Sequence, residues 1–180
     1  MDSAGLLRDY IKMFRMYKTL GDQAMAQIPS DAAFGTMLDP DSNSIAIVVQ
    51  HIAGNLRSRY RDFLTTDGEK PDRNRDGEFE VHGRVSRIAV FNMWDAGWAV
   101  ALASLDALTP DDLDKTITIR GETYLVIEAL NRSITHTAYH VGQIVYLARH
   151  FAAPNWTSLS IPKGKSAEFS KGNFKSSLKT

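Results

Sequence analysis

The chain contains no cysteine, which excludes disulfide frameworks, thiolate zinc sites, iron–sulfur clusters and a cysteine nucleophile together. Any metal it holds must be taken by histidine and carboxylate. It also lacks a surplus of either charge, with 21 Lys and Arg against 21 Asp and Glu, so no global field recruits nucleic acid or an anionic membrane surface. The uncharged stretch from Ala96 to Leu105 is far shorter than the roughly 20 apolar residues of a membrane span. Neither a nucleic-acid nor a membrane partner is expected. Asp2, Arg8, Asp9, Lys12, Arg15 and Lys18 interrupt any signal-peptide core, which makes a cytoplasmic address the default.

What is present is ordinary for a soluble globular protein: 180 residues, 43% hydrophobic and 23% charged, enough for one domain over residues 1–180 with its own core. Hydrophobic spacing predicts four long helices, over 1–28, 44–64, 86–108 and 123–152, hence an all-α four-helix bundle. The first carries Leu6, Leu7, Tyr10, Ile11, Phe14, Tyr17 and Leu20 on one face, with Gly21 within it or just beyond. The second follows cap residues Asp41, Ser42 and Asn43 and is striped by Ile45, Val48, Val49, Ile52, Leu56 and Phe63. In the third, Trp94 and Trp98 stand one turn apart as expected core contributors.

Residues 66–83 mix charges with turn residues and read as a long exposed loop. Thr109-Pro110-Asp111-Asp112 has the order of an N-cap, a first-turn proline and first-turn acids, which predicts one short helical turn. Between Lys115 and Thr123 the period shortens to β-branched alternation, predicting a short extended segment or hairpin, after which Thr123 is placed to cap the last helix. Residues 153–180 form a basic tail that could pack back through Trp156, Leu159 and Ile161.

Of the five histidines, His136 and His140 lie one turn apart and about 40° apart in azimuth on the last helix, so both imidazoles can converge on one ion. His140 sits at the edge of the stripe holding Ile144 and Leu147, which points the pair inward. His51 on the second helix is the candidate third ligand, because Gly54, Asn55 and Ser58 on its side leave room for a cavity. Three neutral imidazoles are the ligand set of a site that keeps a position open for water or substrate. Zinc, nickel, iron and cobalt are all served by such nitrogens. The alternative is three core histidines and no metal.

The run His136-Thr137-Ala138-Tyr139-His140 lacks the glutamate that follows the first histidine in zincin metalloproteases, which disfavours that chemistry. His150 lies roughly 21 Å further along the helix axis than His136 and reads as a helix-end residue favoured by the macrodipole. His82, in the loop, is an outside candidate. Gln143 and Asn55 are candidates for orienting an imidazole or bonding a bound water. Trp94, Trp98, Tyr139 and Tyr146 could form an aromatic box, but their spacing reads as core.

With these residues laid out, the chain resembles the DinB-like superfamily, metal-binding four-helix bundles that include the bacillithiol and mycothiol S-transferases. The resemblance rests on Val48-Val49-Gln50-His51-Ile52-Ala53-Gly54-Asn55, on His136-Thr137-Ala138-Tyr139-His140-Val141-Gly142-Gln143-Ile144, and on the extended piece before the last helix. Segments Phe63 to Pro71, Ile119 to Glu122 and Ser158 to Pro162 make it similar to an uncharacterised bacterial subfamily. The resemblance implies that His51, His136 and His140 hold a divalent metal, zinc or nickel, and that the protein is a homodimer. For function it implies a metal-dependent thiol S-transferase acting on small electrophiles with a small-molecule thiol as substrate, or metal-assisted hydrolysis. A non-catalytic structural or stress-response dimer, stapled by the metal, is the alternative.

Overall fold

Helix boundaries in this chain are set by local oxygen caps and by where the apolar stripe runs out. The computed structural model describes residues 2–80 and 83–168; His82 and the tail lysines Lys171, Lys175 and Lys179 lie outside the described residues. Helix α1, Ser3–Ala26, is capped by the Asp2 carboxylate on the Gly5 N–H and buries Leu7, Tyr10, Phe14, Ala24 and Met25. Gly21 falls inside it. The connection that follows contains a short helix, α2, Asp31–Gly35, with Phe34 fully buried.

Helix α3, Ile45–Tyr60, starts where the Ser44 hydroxyl accepts from the Ile47 N–H. It stops four residues before the predicted end at 64, because Arg61 turns extended and Asp62 takes a φ of 50°, a left-handed geometry that Asp tolerates better than most residues. Helix α4, Arg87–Asp106, is capped by Ser86. By length and composition it is apolar enough to cross a membrane, a property that core helices share. Trp94, Trp98, Ala101 and Leu105 are wholly buried on it, and Trp94 meets Trp98 edge to face at 5.3 Å between ring centroids.

Thr109 and Asp112 cap the predicted turn, Pro110–Asp112: the Thr109 N–H and hydroxyl both donate to Asp112 Oδ2, at 2.7 and 2.8 Å. Strands β1, Thr116–Ile119, and β2, Glu122–Leu125, then pair antiparallel. Arg120 and Gly121 join them with φ of 57° and 76°, the paired positive values of the tight turn that matches strand twist. Thr123 therefore lies in β2, not at a helix start. Helix α5, Val126–Ala152, begins three residues later than predicted, with the Glu128 carboxylate accepting from the Leu125 N–H. A hydrogen-bonded hairpin competes better for residues 123–125 than an uncapped first turn does.

The four long helices pack in the cyclic order α1, α4, α3, α5, with α3 against both α4 and α5. The chain is thus mostly helical with one small two-stranded sheet. From the tail, Trp156 and Leu159 pack against the core, and Gln27, the C-cap of α1, bonds the Thr157 backbone at both N–H and carbonyl.

The α3–α4 approach depends on one missing side chain. A Cβ at Gly97 would sit 2.6 Å from Ala53 Cα and 2.9 Å from Ala53 Cβ, so the backbones touch there. Gly97→Val is expected to lower unfolding free energy by about 1–3 kcal/mol through overpacking, outweighing a helix-propensity gain of a few tenths of a kcal/mol. Equilibrium denaturation of both proteins checks it; unchanged stability would mean that the helices slide apart freely.

Over the described residues 66–80, the segment is only in part the exposed loop that its composition predicts: Gly68, Lys70 and Glu78 are buried. Asp67 accepts from the Glu69, Arg120 and Gly121 N–H groups, the Gly68 N–H donates to the Thr118 carbonyl of β1 at 2.8 Å, and the Ser58 hydroxyl donates to Gly68 O. Lys70 and Glu78 are buried, and Asp76–Phe79 forms a 3-10 turn against α3. Charge count misled because these charges find partners inside the fold, Glu78 in the Arg73 guanidinium and the Lys70 ammonium in the Asp67 carbonyl, and a buried charge so bonded can face inward.

Candidate metal centre

Helices α3 and α5 cross with His51 on one and His136 and His140 on the other. His51 and His140 are buried and His136 is half-buried. All three turn the same ring atom inward: His136 Nε2 lies 3.2 Å from His51 Nε2 and 3.2 Å from His140 Nε2. The three candidate ligand atoms lie within 4.8 Å of one another. Tetrahedral bonds of about 2.0–2.1 Å to one ion would separate nitrogens by roughly 3.4 Å, close to the two separations of 3.2 Å that His136 makes.

The outer ring nitrogens show why such an arrangement suits a cation. His51 Nδ1 is 2.9 Å from Glu78 Oε2, an acceptor, so Nδ1 carries the proton and Nε2 presents a lone pair. His140 Nδ1 is 2.8 Å from Gln143 Oε1, which assigns it the same tautomer. Two lone pairs thus aim at one spot beside His136, an arrangement that a shared cation would satisfy. Burial first, then the neighbouring His140, His51, Arg73 and Arg59, push the His136 imidazole down to about 3. Burial also lowers His140, with the Gln143 bond opposing it. Neutral imidazoles near pH 7 are the ligating form.

Glu78 was not legible as part of this centre, since it lies in the segment read as solvated. It enters through Gly54, where a Cβ would stand 2.2 Å from Glu78 Oε1. The space beside His51 foreseen from Gly54 therefore exists and is filled by a carboxylate. Arg73 grips that carboxylate with two bonds, Nε to Oε1 at 2.8 Å and Nη2 to Oε2 at 2.9 Å. Burial would raise the Glu78 carboxyl, and the bonds from Arg73 and His51 overcome it, holding it below its ordinary value. Gln50 fixes the turn by donating to the Gly77 and Glu80 carbonyls. The only signal in sequence was a glycine three residues after a histidine, with paired Arg and Glu in the following loop.

Other predicted residues divide cleanly. Gln143 orients an imidazole, although it is that of His140 and not of the nearer-azimuth His136. Asn55 lines the cavity beside His51. His150 is exposed in the last turn of α5, against Phe151, away from the centre. Trp94 and Trp98 are core, whereas Tyr139 and Tyr146 are 64% and 71% exposed; their helical spacing places them on the outer face of α5, which corrects the core reading. Tyr139 stacks edge-on to His140 at 4.8 Å.

A cavity of ≈ 480 Å³ opens beside the centre, with His51, His136 and Tyr139 in its wall. Its size is that of a small-molecule site. The family model described as "Protein of unknown function (DUF1572)" matches residues 2–165 of the chain. No curated protein and no solved structure matches.

Proposed function

The chain belongs to the DUF1572 family of proteins of unknown function, and we propose that its three histidines form a divalent-metal site serving a small-molecule reaction in the adjoining cavity. The observation carrying this reading is the convergence of three Nε2 atoms at the cavity edge, with the outer nitrogens of His51 and His140 held by Glu78 and Gln143. Such a set leaves room for a further ligand from solvent or substrate, and among the described residues no fourth histidine or acid joins the three. The Glu78 carboxylate is spent on Nδ1 of His51 and on Arg73.

A divalent ion bound there would lower the pKa of a thiol or water and make a nucleophile available near neutral pH. The resemblance to DinB-like four-helix bundles favours the thiol, with zinc or nickel as the ion. In the reaction the thiol proton passes to solvent, the sulfur pair forms a new bond to an electrophilic carbon, and the leaving group departs with its bonding pair. This chain's residues contribute position: Glu78 and Gln143 fix two imidazoles, and α3 with α5 shields the centre on one side while the cavity admits substrate on the other.

The test is elemental analysis of protein purified without a chelator or a histidine tag, paired with turnover of thiols and electrophiles before and after metal removal. One metal per chain with metal-dependent turnover is the expected result. Metal without turnover would instead favour a staple joining α3 to α5. Absence of metal after addition of zinc or nickel would return the histidines to the core.

A further inference from the structure

The cavity wall is charged in one sense only. Arg59, Arg73, Arg75, Arg120 and Arg132 all line it and no carboxylate does. Three of these arginines are partly neutralised from behind by Glu69, whose Oε2 lies 3.0 Å from Arg59 Nη1, 3.0 Å from Arg120 Nε and 3.6 Å from Arg73 Nη1. Arg75 and Arg132 have no carboxylate partner among the described residues; each rests on an aromatic face, Arg75 on Phe79 and Arg132 on Tyr124. A cluster of guanidiniums in a concave wall focuses positive potential into the space it encloses.

Unspent hydrogen-bonding capacity gathers at the same place. Among the described residues Arg73 Nη1 is buried without a hydrogen-bond partner, and Tyr60 and Ser133, also in this wall, have no side-chain partner beyond one another. The Arg73 side chain is only 4% exposed, and its Nη1 has the 3.6 Å ion pair with Glu69 but no hydrogen bond, which a polar ligand group would supply. Burial, opposed by a bond with Ser133, raises the Tyr60 phenol above its ordinary value, keeping it a neutral donor. Arg120 adds a structural oddity: it holds a positive φ of 57° at the hairpin turn without being glycine, a geometry retained at some cost. A charged side chain at the cavity rim gives that cost a use.

We infer that the ligand of this cavity is a small acid, bearing a carboxylate or phosphate that seats on the arginine wall while its other end reaches the three-histidine centre. Planar guanidiniums bind such groups through paired charge-assisted bonds, and Tyr60 and Ser133 supply neutral hydrogen bonds to the part between. The inference rests on the metal-site reading for the reacting end of the ligand. The acid-binding end stands on the arginines alone.

Calorimetric titration of the zinc-loaded full chain separates the two, using 3-mercaptopropionate, 2-mercaptoethanol and succinate as probes. A charge-assisted bond predicts that 3-mercaptopropionate binds at least about tenfold more tightly than 2-mercaptoethanol. In the Arg75→Gln/Arg132→Gln double variant, with zinc content verified, that ratio is expected to fall below about twofold. Equal affinity for the two thiols, or a preference that survives the double substitution, overturns the acid-binding assignment and leaves the thiol reading in place. Succinate binding that depends on Arg75 and Arg132, with no contribution from a thiol group, upholds the acid site and removes the thiol from the proposed reaction.

Discussion

Replacing His140 with alanine is expected to remove stoichiometric metal from the purified protein, whereas His150→Ala leaves metal content as in the parent. The geometry explains the contrast. His140 contributes one of three inward Nε2 atoms within 4.8 Å of one another, while His150 is exposed at the far end of α5. Loss of an outer partner of a ligand costs roughly 10–100-fold in affinity, and loss of the ligand itself removes a bond outright. His51→Ala examines the cross-helix half of the claim, since His51 alone comes from α3. Metal-free protein gives an internal control: with no ion present, His140→Ala removes no metal bond, so its melting temperature should fall by less than that of the metal-loaded protein. Elemental analysis and thermal denaturation with and without metal read both effects. Equal metal in the His140 and His150 variants would sink the assignment.

How much of this was legible follows from which residues carry periodic information. A helix writes its buried face into sequence every three to four residues, and so the long helices, the inward edge of His140 and the convergence of His136 with it could be anticipated. His51 was reachable because Gly54 and Ser58 marked a thin place on the same helix. The segment carrying Lys70, Arg73 and Glu78 has no period, and its charges are identical in type to those of a solvated loop. Only the fold reveals that Arg73 and Glu78 face inward and cancel and that Lys70 turns to the Asp67 carbonyl. The boundary at Thr123 failed for a related reason, since a cap residue and a strand residue are the same threonine until the partner strand is known. Tyr139 and Tyr146 show the reverse error: their spacing is helical, but periodicity reports a face and not which face is covered.

The second large effect concerns that hidden carboxylate. Glu78→Ala leaves His51 Nδ1 without its acceptor and the Arg73 guanidinium, 4% exposed, without its bidentate partner. Breaking a buried pair by removing one member costs about 3–5 kcal/mol, because the remaining charge is stranded. Metal affinity is expected to fall roughly 10–100-fold, since the carboxylate no longer fixes the His51 tautomer. These two losses have different causes and can be separated. In the double variant Glu78→Ala/Arg73→Met no charge is left stranded, so stability should recover most of the loss, while metal affinity stays low because His51 still lacks its partner. Denaturant midpoints and competitive chelator titrations on the parent, the single and the double variants give both quantities. If affinity recovers together with stability, Glu78 acts only as a counter-ion for Arg73. If Glu78→Ala holds metal as tightly as the parent, the carboxylate has no part in the centre, and the pocket beside Gly54 is packing alone.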